Sequence, residues 1–94
     1  MDARDIVIPV STVMSIIEAV VPYDMASYIY SVMYRAARND EMTLGTLFDT
    51  LAFHTRGDIQ HGPILDRLVG HIAGLRIAEF SDLVAMKEDV LPHS

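Results

Sequence analysis

A chain of 94 residues makes one domain, spanning 1–94, and a domain of this size buries only roughly 60–65% of its unfolded surface. Its composition is nonetheless 51% hydrophobic, more than one small core hides, so self-association or an apolar patch for a partner is expected. Thirteen acidic against seven basic residues give a net charge of −6, which excludes the phosphate-neutralising patch that nucleic acid or an anionic membrane would require.

No cysteine is present, so disulfides, thiolate nucleophiles and thiolate metal sites are out, in keeping with a reducing cytoplasm. The apolar run IVIPVSTVMSIIEAVV is interrupted by Pro9 and carries Glu18. A membrane span needs about 20 apolar residues, and no small-residue cleavage site follows. The expectation is a soluble, unprocessed cytoplasmic protein.

Residues Asp5 to Val10 read as extended, with four Ile or Val in six and a residue before Pro9 biased away from helix. A lone strand of this length has no evident partner in the chain. It is read as a short N-terminal arm, either a packed tail or a strand pairing with its copy in a second subunit. Ser11 is placed as the N-cap of the first helix. Val13, Ile16, Ile17, Val20 and Val21 then recur at helical spacing opposite Glu18. Pro22 ends that helix and Asp24 is expected to cap the next, making a tight helical hairpin.

Residues 24–38, DMASYIYSVMYRAAR, carry one narrow polar line of Ser27, Ser31, Arg35 and Arg38. Met25, Ile29, Val32 and Ala36 form one apolar stripe, and Ala26, Tyr30, Met33 and Ala37 a second beside it. A helix apolar over most of its circumference should be covered on several sides, so this segment is read as the centre of the bundle. It stops near Asn39. Thr43 then caps a third helix with Leu44, Leu47, Phe48, Leu51 and Ala52 on one stripe and Phe53 off it, closed by Arg56 and Gly57. Pro63 suits the first position of a fourth helix, whose stripe is Ile64, Leu65, Leu68, Val69 and Ile72. Ser81 is placed as the cap of a fifth, bearing Leu83, Val84, Val90 and Leu91 and stopped by Pro92. The fold class is therefore all-α: one bundle of four to five helices around segment 24–38.

Candidate chemistry is sparse. On a continuous helix His54, Asp58 and His61 would share a face, the arrangement of a metal-binding protein or small metal-dependent enzyme. Gly57 and the Gly62–Pro63 pair argue against continuity, leaving helix-end histidines as the alternative. The acids Glu79, Asp82, Glu88 and Asp89 read as the solvated face of the last helix. A DNA-reading helix-turn-helix in helices three and four is a further alternative. Helix four, however, presents only Asp66, Arg67 and His71 outward, where base readout favours Arg, Lys, Asn or Gln.

Four tyrosines, Tyr23, Tyr28, Tyr30 and Tyr34, crowd the region of the second helix, and tyrosine is enriched in interfaces because it joins a large apolar body to a polar tip. Tyr30 and Tyr34, one turn apart, are read as interface residues together with the acids Asp40, Glu41 and Asp49. The resulting expectation is a small acidic, non-enzymatic interaction module, a homodimer that binds and blocks or bridges a basic protein partner. It resembles phage-encoded inhibitors of nucleic-acid-binding proteins in size and charge alone. No catalytic residue, metal or cofactor is assigned under that reading.

Overall fold

The chain enters through one turn of 3-10 helix at Ala3–Asp5, closed by the Asp2 side chain accepting from the Arg4 amide at 3.0 Å. The computed structural model describes residues 2–91. Pro92, expected to stop the last helix, lies outside them. Two short strands follow the sequence order β1 (Val7–Pro9) and β2 (Glu41–Thr43), with helices α1 (Val10–Val20), α2 (Tyr23–Ala36), α3 (Leu44–Thr55), α4 (His61–Gly74) and α5 (Phe80–Val90). The architecture is a small all-α domain of five helices carrying a two-stranded ribbon. No helix among the described residues is long and apolar enough to cross a membrane.

The N-terminal arm is a strand, and its partner is in the same chain. β1 pairs antiparallel with β2, Val7 opposite Thr43, Ile8 opposite Met42 and Pro9 opposite Glu41. This corrects the expectation of a tail or an intersubunit strand. The partner is hidden in the Asn-Asp-Glu stretch, whose sequence signals only the end of a helix. Asn39 and Asp40 take positive φ values of 52° and 61°, and Arg38 and Glu41 exchange backbone hydrogen bonds of 2.9 and 3.0 Å across them. That is the pattern of a two-residue hairpin turn, in which Asn and Asp tolerate the left-handed conformation. Hydrogen bonds from the Leu44 N–H to the Ile6 carbonyl and from the Val10 N–H to the Asp40 carbonyl continue the ladder. Their alternation puts Pro9 at a position that donates nothing, so its missing N–H is harmless.

The helix stripes fall where their spacing puts them. Val13, Ile16, Ile17 and Val20 of α1, Leu44, Leu47, Phe48, Leu51 and Ala52 of α3, and Ile64, Leu65, Leu68, Val69 and Ile72 of α4 are all buried. In α5 the buried pair is Leu83 and Met86, with Val84, Val90 and Leu91 packed at the edge. Thr43 caps α3 as expected, accepting from the Thr46 amide at 3.1 Å. The other expected caps do not form. Ser11 and Ser81 lie inside α1 and α5, behind Pro9 and Glu79, and Asp24 sits in the first turn of α2 behind Pro22. Likewise α4 begins at His61, ahead of Pro63.

Segment 24–38 is not the centre. α2 buries only Ile29, Val32 and Met33, while Tyr23, Tyr28 and Tyr34 stand in solvent. The central position belongs to α3, which packs against the N-terminal turn, β2, α2, α4 and α5. Gly45 makes part of that packing feasible: a Cβ there would lie 3.2 Å from the Arg4 carbonyl oxygen and 3.3 Å from its side chain. At the far end of α1, Arg67 of α4 donates from Nε to the Val20 carbonyl at 3.0 Å. It thereby supplies the cation that a helix C-terminus favours and α1 itself lacks.

Candidate interaction surface

α2 and α3 pack side by side, and their shared outer edge carries a ladder of rings. The Tyr28 hydroxyl lies 2.9 Å from His54 Nδ1, with the two rings edge-to-face at 5.6 Å. Phe53 meets the same imidazole at 5.1 Å, also edge-to-face. The Arg56 guanidinium then sits 5.7 Å from the Phe53 centroid, within cation–π range. Tyr28 and Phe53 are 54% and 64% exposed, so the contacts hold apolar rings in fixed orientations at the surface. The clue in the sequence is Phe53, which falls off the α3 stripe and therefore has no core to enter.

His54, Asp58 and His61 do not converge. Gly57, at φ 90°, turns the chain after α3 and breaks the continuous helix that a shared face requires. Asp58 Oδ1 accepts from the Gln60 amide at 2.7 Å, His54 joins Tyr28, and His61 bonds to Thr55. Among the described residues no group of three or more His, Cys, Asp or Glu side chains could hold a metal ion.

The Thr55–His61 pair is a contact that the spacing did not reveal. Thr55 Oγ1 donates to the Leu51 carbonyl at 2.8 Å and lies 2.8 Å from His61 Nδ1. With its one proton committed to Leu51, the hydroxyl accepts from the imidazole, which fixes the proton on Nδ1. Among the described residues His61 Nε2 then has no hydrogen-bond partner, although it is buried. A hydroxyl beside an imidazole suggests nucleophile activation, but Thr55 is 1% exposed. It ties the start of α4 to the last turn of α3, out of a substrate's reach.

The residues expected to form the interface are separated. Tyr34 is 63% exposed, whereas Tyr30 is half-buried and packs against the core. Asp40 and Glu41 are exposed at the hairpin, but Asp49 is drawn to the N-terminal turn by a 2.7 Å ion pair with Arg4. Asp2 and Arg4 line an open groove with Asp82, Met86 and Asp89 of α5. Asp82 and Asp89, read from the sequence as part of the solvated face of the last helix, thus face that groove beside Arg4. On helix four Asp66 holds Lys87 at 2.8 Å and Arg67 Nε donates to the Val20 carbonyl. The Asp66 hydrogen bond, with its negative charge and that of Glu88, raises the Lys87 pKa above the usual 10.5, outweighing partial desolvation. Compared with protein-family models, curated proteins and solved structures, the chain shows no match.

Proposed function

We propose that this chain is a small acidic, non-enzymatic interaction module that acts as a homodimer by binding and blocking or bridging a basic protein partner. The observation that carries the reading is the set of aromatic rings left in water: Tyr23, Tyr28 and Tyr34 on α2, Phe53 on α3 and Phe80 at the start of α5. Rings of this kind at the surface contribute large contact area with little entropy lost on binding. The acids lining the groove beside α5 supply a separate surface, able to attract a basic partner over about a Debye length, 8–10 Å.

Two measurements test it. Light scattering on the full chain should give a mass near twice 10.5 kDa at micromolar concentration; a monomer at all concentrations removes the homodimer. Affinity capture from the native host, at two salt concentrations, should recover one basic protein with the wild type. The Asp82→Lys, Asp89→Lys double variant should lose it. Equal recovery by both would move the partner surface away from α5.

A further inference from the structure

The exposed face of α2 has a charge pattern that is its own complement. Asp24, Ser27, Tyr28, Ser31, Tyr34 and Arg35 are all exposed, and at 3.6 residues per turn they form one continuous stripe opposite buried Ile29 and Met33. Asp24 stands at one end, and Arg35, three turns later, stands almost directly in line with it. Each is placed where the dipole of its own helix favours its sign. Neither is in an ion pair among the described residues, where the two pairs are Arg4–Asp49 and Lys87–Asp66. Between them lies small Ser31, whose hydroxyl turns back to the Ser27 carbonyl at 3.3 Å and so presents little bulk. Tyr28 flanks the stripe on one side and Tyr34 on the other, 54% and 63% exposed.

We infer that the occupant of this face is α2 of a second copy of the chain, packed antiparallel about a two-fold axis near Ser31 and Tyr28. The inference rests on the homodimer reading above and specifies its surface. In a two-fold interface every contact occurs twice, residue i on j and j on i. An antiparallel α2 pair therefore sets Asp24 of each chain against Arg35 of the other, at both ends at once. Asp24 and Arg35 lie about 8 Å from the crossing point at 1.5 Å per residue, and a shallow crossing of about 20° keeps such positions within side-chain reach. The serines admit close approach at the centre, and the tyrosines cover the seam. A partner of uniform charge would match one end of this stripe and be repelled by the other.

The test uses charge swaps in the full chain, with helical content checked by circular dichroism. Asp24→Arg alone places two arginines against each other at both ends, and Arg35→Asp alone does the same with acids. Each should weaken the dimer at least about tenfold in sedimentation equilibrium, because facing like charges are strongly disfavoured across an interface. Mixing the two weakened variants should restore dimers, as heterodimers, since every facing pair is then opposite in sign. A wild-type dimer that both single variants retain, or that the mixture fails to restore, overturns the α2 pairing while leaving the homodimer reading intact. A wild-type monomer overturns both.

Discussion

α2 and α3 are both rich in apolar residues, yet α3 is enclosed and α2 lies at the side of the molecule. The difference is in the kind of apolar residue. α3 carries three leucines and Phe48 on its stripe, which contain no polar atom and are fully buried. Apart from Ile29 and Val32, α2 spreads its apolar character over Tyr, Met and Ala. A tyrosine hydroxyl taken into a core must find a partner there, and at the edge it finds water. Ala buries too little area to draw a helix inward. Apolar circumference alone is therefore a poor guide to which helix is central, and the buried aliphatic volume is a better one.

That comparison is most directly tested in α3. Leu51→Ala should cost about 2–5 kcal/mol by denaturant titration, a large share of a total stability of roughly 5–10 kcal/mol. Val32→Ala in α2, at a site 6% exposed and beside the main core cluster, should cost only about 1–2 kcal/mol. Equal losses would restore α2 to the centre. Next in size is the link from α4 to α1: Arg67→Ala removes the bond to the Val20 carbonyl and should cost about 0.5–1 kcal/mol. A loss unaffected by a second change at Val20→Ala would be consistent, since the acceptor is backbone.

The smaller effects are electrostatic. Asp49→Asn breaks the exposed pair with Arg4 and should cost about 0.2–1 kcal/mol at low salt and less at high salt. A penalty that does not shrink with salt would point to packing over Gly45 as the origin. For Lys87 the sign follows from its raised pKa. Folding holds the proton more tightly, so the contribution is full below the ordinary lysine value and is lost as pH rises through the raised one. The melting difference between wild type and Lys87→Met should hold below the ordinary lysine value of 10.5 and narrow as pH rises above it. A gap that stays constant through that rise would show that Asp66 does not stabilise the ammonium.

The sequence by itself determined the class, a bundle of four to five helices and the buried stripes of α1, α3 and α4, because helical periodicity sorts Leu, Ile and Val to one face whatever that face meets. Thr43 was legible for a similar reason: its hydroxyl serves amides of its own first turn. What the tertiary structure alone decided involves partners distant in the chain. Three residues on either side of the α1–α2 pair join as β1 and β2; the extended character of the first was legible in its Ile and Val residues, but its partner at Glu41–Thr43 was not. Arg67 reaches Val20 and Arg4 reaches Asp49, contacts that cross the chain and leave no spacing to read. The candidate surface divides along the same line. Its polar stripe on α2 is visible as Ser27, Ser31 and Arg35, but which tyrosine stays in water depends on what packs beside it. Tyr30 faces the core and Tyr34 faces solvent, although one turn separates them, since α2 rests on α1 and α3 along one flank only.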